Sequence, residues 1–226
     1  MSDFGKAPNG EVVKKFKLTN SNGLSMEVIN YGAIITNLYV PDSSGSLKDV
    51  VLGFNDFNYY YENNPYFGAI IGRYGNRISN GTFLLDGVRY ELEQNNGPNS
   101  LHGGLVGFDK VFWKFVEEKS NNQSLHFEYF SKDMEEGFPG NLVVGIEYIL
   151  NDYNELKIKY TASTDKKTII NLTQHSYFNL SGESSGDILD HILNIDAEYY
   201  LPVNENMIPH GPYEKVESTP FDFNIP

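Results

Sequence analysis

The sequence predicts an all-β protein built as one large antiparallel β-sandwich, and three observations support this fold class. Short runs of Val, Ile, Tyr, Phe and Thr recur between clusters of Gly, Asn, Asp and Pro, as expected of many short strands. No helical repeat of apolar residues continues beyond two turns. Of the 226 residues, 40% are hydrophobic, which is enough for a substantial core. We expect a single domain over residues 1–226.

The clearest pair of strands lies in the second half of the chain. Residues 142–150 form a largely aliphatic run, and residues 155–160 alternate apolar with polar side chains. The Asn-Asp-Tyr-Asn sequence between them favours a turn. These features predict a hairpin whose second strand has one face in water.

Two further hairpins are predicted. Residues 83–92 contain two strand-like runs on either side of Asp86-Gly87, a pair that supplies the positive φ angles of a two-residue type I′ turn. Residues 111–118 are joined to residues 125–130 through a polar Ser-Asn-Asn-Gln sequence. Each pattern predicts two neighbouring antiparallel strands.

The composition limits the kind of partner. The chain has 30 acidic and 17 basic residues, a formal net charge of -13, which opposes binding to nucleic acid phosphates or anionic membranes. It contains no Cys, which excludes disulfides, thiolate metal ligands and Cys nucleophiles. No apolar run approaches the roughly 18 residues of a membrane span, and the first residues lack a signal-peptide pattern. We therefore expect a cytoplasmic protein with a small neutral ligand, no nucleic acid partner and no membrane association.

Two polar segments, residues 68–80 and residues 95–109, interrupt the strand pattern. Both are rich in Gly and Asn and also carry charged or titratable side chains. Loops held by a rigid β scaffold are common places for binding and catalytic residues. We therefore predict that functional side chains concentrate there.

Asn76 and Arg77 form the first candidate group. An amide beside a guanidinium can hydrogen-bond several hydroxyls of one sugar ring. Spacing alone favours the structural alternative, in which Arg77 pairs with an acidic neighbour and fixes the loop.

Two histidines are the next candidates. His102 precedes Gly103-Gly104, where the missing side chains allow close backbone approach and leave room for a ligand. His175 lies among aliphatic and aromatic residues, where burial can adjust an imidazole whose ordinary pKa is about 6.5. The structural alternative for each is a His whose ring bonds to nearby backbone groups.

These three candidate segments, in this order, are similar to motifs of the aldose 1-epimerase (galactose mutarotase) family. The similarity also covers the Asn-Tyr-Gly-Ala-Ile-Ile sequence at residues 30–35 and the sequences at residues 200–211 and 219–223. It extends in register over nearly the whole chain.

The resemblance implies a galactose mutarotase-like supersandwich whose open cleft binds an aldohexose without a metal or an organic cofactor. By match to the family motifs, Asn76 and Arg77 hold sugar hydroxyls, and His102 bonds near the ring oxygen. His175 is the general acid. Tyr177, two residues further along the same strand, lines the cleft. The catalytic candidates are thus His175 and His102, and the substrate-binding candidates are Asn76, Arg77, His102 and Tyr177.

The implied activity is the interconversion of the α and β anomers of free hexoses such as galactose and glucose. Opening a cyclic hemiacetal requires a proton at the ring oxygen and removal of another from the anomeric hydroxyl. An imidazolium can supply the first proton. Rotation about the C1–C2 bond before ring closure then gives either anomer.

The family's general base is a Glu close to the C-terminus, beyond the segment that residues 219–223 resemble. No residue of this chain matches it, so the base stays unassigned, and Glu183, Glu198 and Glu205 are not given this role. We expect the sandwich to be incomplete at its C-terminal end, where a further segment or a partner chain would supply the missing strands.

Three alternatives remain from the sequence. A sugar-binding module keeps the same cleft but lacks the proton acceptor. A hexose-phosphate 1-epimerase needs additional basic residues around the phosphate, which the negative net charge disfavours. A serine hydrolase is suggested by residues 182–186, which fit Gly-x-Ser-x-Gly, but that motif needs a strand-to-helix turn in an α/β sheet that this sequence does not predict.

Overall fold

The computed structural model describes residues 1–224, except for the side chain of Asn63. In this part of the chain one short α-helix, α1 (Phe57–Asn63), accompanies seventeen strands. The strands are β1 (Ser2–Lys6), β2 (Val12–Thr19), β3 (Ser25–Ile29), β4 (Ile35–Pro41), β5 (Leu47–Asp49), β6 (Ile70–Ile71), β7 (Arg77–Ile78), β8 (Thr82–Leu85), β9 (Val88–Glu91), β10 (Ser100–Leu101), β11 (Lys114–Phe115), β12 (Ser124–Ser131), β13 (Leu142–Leu150), β14 (Leu156–Thr164), β15 (Thr173–Gln174), β16 (Tyr199–Tyr200) and β17 (Glu214–Lys215).

Antiparallel pairing organises these strands into two larger sheets and four small ribbons. The first sheet has the order β1-β2-β3-β4-β5, and the second has the order β11-β12-β13-β14. The ribbons pair β6 with β15, β7 with β10, β8 with β9, and β16 with β17. The prediction of an all-β antiparallel fold is confirmed.

The two larger sheets pack against one core. Phe16 of β2 lies edge-to-face on Phe127 of β12, with ring centroids 5.3 Å apart. The buried Tyr148 of β13 donates its hydroxyl to the carbonyl oxygen of Ala33 over 2.6 Å. Leaving such a buried carbonyl without its donor would cost about 1–3 kcal/mol. This bond therefore fixes the second sheet against the turn that leads into β4.

Two of the three predicted hairpins are confirmed. β13 and β14 pair along their whole length, and β14 alternates half-buried with exposed side chains over its first six residues, as its sequence pattern predicts. In the β8–β9 hairpin, Asp86 and Gly87 have φ angles of 51° and 80°. Positive φ at both central positions is the type I′ geometry.

The third hairpin exists with a shorter first strand than predicted. Within residues 111–118 only the two residues of β11 pair with β12. A 3-10 helix then follows at Glu117–Lys119. The hydroxyl of Ser120 donates to the carbonyl oxygen of Val116 and accepts from the backbone N–H of His126. These local side-chain bonds replace the ladder bonds of a continued strand.

The helix α1 is short and lies under the first sheet. Asp56 caps its N-terminus by accepting from the backbone N–H of Asn58 over 2.9 Å. Its buried residues Phe57 and Tyr60 join a second apolar cluster with Tyr31 and Ile34. This cluster lies behind the residues that lead into β6.

The C-terminal part of the described chain is largely exposed. Between residues 183 and 224 the ordered pairing is limited to the β16–β17 ribbon and one isolated bridge, between Val203 and Pro209. Leu189 and Ile192 expose 84% and 81% of their surface. No helix within residues 1–224 has the length and apolar character needed to cross a bilayer. The assignment of residues 1–226 to a single domain remains a prediction.

Candidate functional site

Two small ribbons bring the predicted site segments together. The ribbon of β6 and β15 pairs Ile71 with Thr173, and the chain reaches His175 immediately after β15. The ribbon of β7 and β10 pairs Arg77 with Leu101, and His102 follows directly. Segments about 100 residues apart in sequence thus end side by side.

Between these ribbons lies an open cleft with a volume of about 530 Å³. Its wall is continuous because the backbone N–H of Gly75 donates to the carbonyl oxygen of Asn171 over 2.7 Å. Amides, hydroxyls and two imidazoles dominate the lining, which suits a polyhydroxylated ligand. The lining residues are Gly75, Asn76, His102, Asn171, Leu172, Thr173, Gln174, His175 and Ser176.

The imidazole of His102 has a defined hydrogen-bonding state. The backbone N–H of Asn76 donates to its Nδ1 atom over 2.9 Å. Because Nδ1 accepts, the ring is neutral and carries its proton on Nε2. Burial, which is the main cause, and the nearby His175 and Arg77 together lower the pKa of His102 to about 4. His102 therefore presents Nε2–H as a hydrogen-bond donor at neutral pH.

His175 faces His102 across the cleft floor. The two ring centroids are 5.2 Å apart at an interplanar angle of 85°. The backbone of His175 is held on both sides, since its N–H donates to Ala69 and its carbonyl oxygen accepts from Gly68. No described residue accepts or donates a hydrogen bond at the His175 ring, in contrast to the structural alternative of a ring bonded to a backbone carbonyl. Its ring is thus open to a ligand in the cleft.

Arg77 is held by amides rather than by an acid. Its Nε–H donates to Asn96 Oδ1 over 2.9 Å, and its Nη1–H donates to Asn76 Oδ1 over 3.3 Å. Among the described residues no carboxylate lies within ion-pair distance of Arg77, so the structural alternative of an acidic partner is wrong. Arg77 borders a separate hollow of about 190 Å³ beside the cleft, together with Glu205 and Asn206.

Tyr177 lies beside His175, but the prediction that both belong to one strand is wrong, because β15 ends at Gln174. Their ring centroids are 5.1 Å apart, and the Tyr177 ring also packs edge-on against Phe67. Tyr177 exposes 42% of its surface. It is not among the residues that line the cleft, although it follows the lining residue Ser176 directly in sequence.

The glycine after His102 has the packing role that the sequence indicates. A Cβ atom on Gly103 would lie 1.8 Å from the carbonyl oxygen of Gly72, and the φ angle of Gly103 is 93°. Both features exclude a side chain. Close approach of these two backbones places His102 against the segment that carries Asn76.

Three residues in or near the site were not predicted from the sequence. Asn96 orients Arg77. Tyr66 packs against both imidazoles. The carboxyl group of Asp109 is buried, since this residue is only 6% exposed. No other described residue donates a hydrogen bond to it. Burial raises the pKa of Asp109 to about 6, although the Lys110 ammonium and the backbone N–H of Asp109 itself oppose the rise. The only signal in the sequence for these three residues was their position in, or next to, the two polar segments.

Two other kinds of site lack support in the described residues. No three His, Asp or Glu side chains in residues 1–224 are placed to hold a metal ion. The Gly-x-Ser-x-Gly sequence forms a turn in which the backbone N–H of Ser185 donates to Gly182, and it precedes no helix. A hydrolase nucleophile needs a strand-to-helix turn at this motif, so the hydrolase alternative is wrong.

Comparison with known proteins identifies the family. Residues 14–226 match the family model described as aldose 1-epimerase, and the chain belongs to this family. It is 47% identical over 226 residues to galactose mutarotase from Sus scrofa, covering all of this chain and 65% of that protein. It is 40% identical over 217 residues to aldose 1-epimerase from Escherichia coli (strain K12), covering 96% of this chain and 62% of that protein.

Solved structures agree with this family. An aldose epimerase homologue from C. elegans superimposes with a TM-score of 0.86 at 31% identity, over 94% of this chain and 64% of that one. Galactose 1-epimerase from Lactobacillus acidophilus NCFM gives a TM-score of 0.83 at 28% identity, over 99% and 64%. These matches confirm the galactose mutarotase-like fold. The chain spans less than two thirds of the length of these relatives.

Proposed function

We propose that the protein is an aldose 1-epimerase that interconverts the α and β anomers of free hexoses such as galactose and glucose. The observation that carries this proposal is the pair of imidazoles on the floor of the cleft. His102 and His175 lie 5.2 Å apart, at a distance that allows both to reach one pyranose ring. The family relationship and the polar lining support the same activity.

The two imidazoles take different roles because their environments differ. His102 is fixed as a neutral donor by Asn76, so its Nε2–H can bond a sugar oxygen without giving up its proton. The His175 ring is free of such a bond and is the general acid. It donates its proton to the ring oxygen, and the C1–O bond then breaks. The ring oxygen becomes a hydroxyl, and the anomeric hydroxyl loses its proton as the aldehyde forms.

Rotation about the C1–C2 bond then presents the other face of the aldehyde. The steps run in reverse: the hydroxyl attacks C1, its proton returns to His175, and the aldehyde oxygen regains a proton. No atom is oxidised and none is lost. The acceptor of the anomeric proton is not assigned to any residue of this chain. Glu205 borders the hollow beside Arg77 but is exposed, and we give it no catalytic role.

We assign sugar binding to Asn76, Arg77, His102 and Tyr177. Asn76 and His102 line the cleft, whereas Arg77 is bonded to the lining residue Asn76 and Tyr177 packs on the lining residue His175. A free sugar fits better than a sugar phosphate, because no Lys or Arg is among the described lining residues. The proposed partner is thus a small-molecule aldohexose. The cytoplasmic location expected from the sequence also remains a proposal.

Polarimetry tests this function. Freshly dissolved α-galactose is mixed with the protein, and the optical rotation is followed against a buffer blank. The proposal predicts relaxation faster than the blank, and slower relaxation for galactose 6-phosphate than for galactose at equal concentration. Relaxation equal to the blank, by folded protein that still binds galactose in an NMR titration, would instead establish the sugar-binding module. A preference for the phosphate would establish the hexose-phosphate alternative.

A further inference from the structure

The ring of Tyr66 packs against the imidazoles of both His102 and His175. Its ring lies edge-to-face on His102, with centroids 4.7 Å apart and an interplanar angle of 74°. The same ring lies 5.6 Å from the ring of His175 at 36°. Tyr66 is half-buried and is not among the residues that line the cleft.

The backbone at Tyr66 is held in a conformation that a Tyr rarely adopts. Its φ angle is 66°, in the left-handed region, where a residue with a Cβ atom is disfavoured by roughly 1–2 kcal/mol. Such conformations persist where surrounding structure enforces them, and they concentrate at functional sites. Here Asn64 Oδ1 accepts from the backbone N–H of Phe67 over 2.8 Å, and the carbonyl oxygen of Tyr66 accepts from Ala69 over 3.1 Å.

This turn is also bonded to the backbone of His175. The N–H of Gly68 donates to the carbonyl oxygen of His175, and the carbonyl oxygen of Ala69 accepts from the N–H of His175. The turn that aims the Tyr66 ring therefore also sets the position of the proposed acid. Backbone placement and ring packing are combined in one segment of four residues.

We propose that Tyr66 is a positioning residue, which holds the imidazoles of His102 and His175 at the mutual angle that the reaction needs. The catalytic part of this proposal rests on the function proposed above. The His175 ring has no described hydrogen bond that would limit its rotation, so packing must do so. Tyr66 lies edge-to-face on His102 and tilted on His175, and packing of aromatic rings favours particular relative angles. A misplacement of about 1 Å can reduce a rate by roughly 10²-fold.

The ring of Tyr66 provides this restraint, and its hydroxyl is not required. Burial raises the pKa of the Tyr66 phenol, and the Asp109 carboxylate raises it further, whereas Arg77 lowers it. The phenol thus stays neutral in the physiological range. No described residue forms a hydrogen bond with the hydroxyl of Tyr66. Tyr66→Phe therefore preserves the restraint, whereas an aliphatic side chain removes it.

The first experiment compares kcat and KM for galactose in three variants. Tyr66→Leu is expected to lower kcat at least tenfold with KM changed less than threefold, and Tyr66→Phe to stay within about threefold of wild type. Phe54→Leu is the matched control, because Phe54 belongs to the same aromatic group and contacts neither imidazole. Its kcat should stay near the wild-type value. If Tyr66→Leu does not fold, Tyr66→Met replaces it with the same expectation.

The second experiment reads the imidazoles directly and does not depend on turnover. In ¹⁵N NMR spectra, wild-type His102 should show the Nε2–H tautomer with its low pKa. Tyr66→Leu should give a higher pKa for His102, because water then reaches the ring. His175 and Arg77, which lower this pKa, remain beside the ring in the variant. Tyr66→Phe and Phe54→Leu should keep the wild-type signals.

These results separate the two proposals. Unchanged imidazole signals and unchanged kcat in Tyr66→Leu would overturn the positioning role. Altered signals in Tyr66→Leu, together with a wild-type protein that does not accelerate anomer exchange, would support the positioning of the imidazoles and reject the epimerase activity. Equal loss of kcat in Tyr66→Phe and Tyr66→Leu would also overturn the proposal, since the hydroxyl would then be the group that matters.

Discussion

The backbone N–H of Asn76 donates to Nδ1 of His102 over 2.9 Å. This bond joins a proposed sugar-binding residue to a proposed catalytic imidazole. The bond needs an unprotonated Nδ1 and therefore a neutral ring. Burial, which is the main cause, and the nearby His175 and Arg77 lower the pKa of His102 to about 4. The free energy of unfolding should therefore depend on pH through His102.

In the unfolded chain His102 has a pKa near 6.5, so between pH 6.5 and about 4 the unfolded state binds more protons than the native state. The contribution of His102 to the free energy of unfolding therefore decreases as pH falls through this window. Denaturant unfolding at several pH values, with His102→Gln for comparison, measures it. The wild type should lose more stability than His102→Gln between pH 6.5 and 4. Parallel pH profiles would show that the low pKa is absent.

Asp109 gives the opposite sign. Burial raises its pKa from 3.8 to about 6, so the native state binds more protons than the unfolded state in this window, and stability decreases as pH rises through it. Asp109→Asn removes the charge with little change of shape. We expect the free energy of unfolding at pH 8 to increase by about 1–3 kcal/mol, with a smaller change near pH 4.

Asp86→Asn is the control for this variant. Asp86 forms an exposed ion pair with Lys167, and such pairs contribute little. The stability of Asp86→Asn should therefore differ little from wild type at either pH. If Asp109→Asn is destabilised at pH 8, the carboxylate must have a stabilising partner in the native protein.

Arg77→Lys tests the geometry of the guanidinium. Lys keeps the charge but cannot donate to Asn96 Oδ1 and Asn76 Oδ1 from one rigid group. Hydrogen bonds to a charged group contribute about 1.5–3 kcal/mol, so KM for galactose should rise by roughly tenfold or more, with a smaller change in kcat. Arg89→Lys, on the β9 strand away from the cleft, should leave KM unchanged. Equal KM values in both variants would remove Arg77 from the binding site.

Gly103→Ala tests the close approach of the two backbones beside His102. The added Cβ atom would meet the carbonyl oxygen of Gly72, which cannot move like a flexible side chain. We expect a loss of about 3 kcal/mol or more in thermal or denaturant unfolding. Gly97→Ala is matched in having a positive φ angle but has open space around it, so it should lose only about 1–2 kcal/mol. Equal losses would mean that φ strain, and not the Gly72 contact, determines the cost.

The sequence predicted those parts of the fold whose signals are local. The alternation in residues 155–160 and the Asp86-Gly87 pair each depend on a few neighbouring residues, and the structure confirms both hairpins. The shorter first strand of the third hairpin depends on Ser120, whose side-chain bonds compete with the strand ladder. Such competition is not visible in a hydrophobic pattern.

The assembly of the site was less accessible from the sequence. Resemblance to the family selected His102 and His175, but the ribbons that bring them together are two residues long and join distant segments. Strands this short have no detectable period. Tyr66 and Asn96 act through a ring contact and a hydrogen bond that exist only after folding. From the sequence alone, neither could be distinguished from other loop residues.

The most direct test of the central claim is the rate of anomer exchange of galactose at equilibrium, measured by magnetisation-transfer NMR. Wild type is compared with His175→Ala and with His210→Ala, whose side chain is exposed and outside the cleft. Wild type and His210→Ala should both exceed the buffer rate, and His175→Ala should fall by about 10²–10⁴-fold or to the buffer rate. Exchange that persists in folded His175→Ala, or a wild-type rate equal to buffer, would contradict the account.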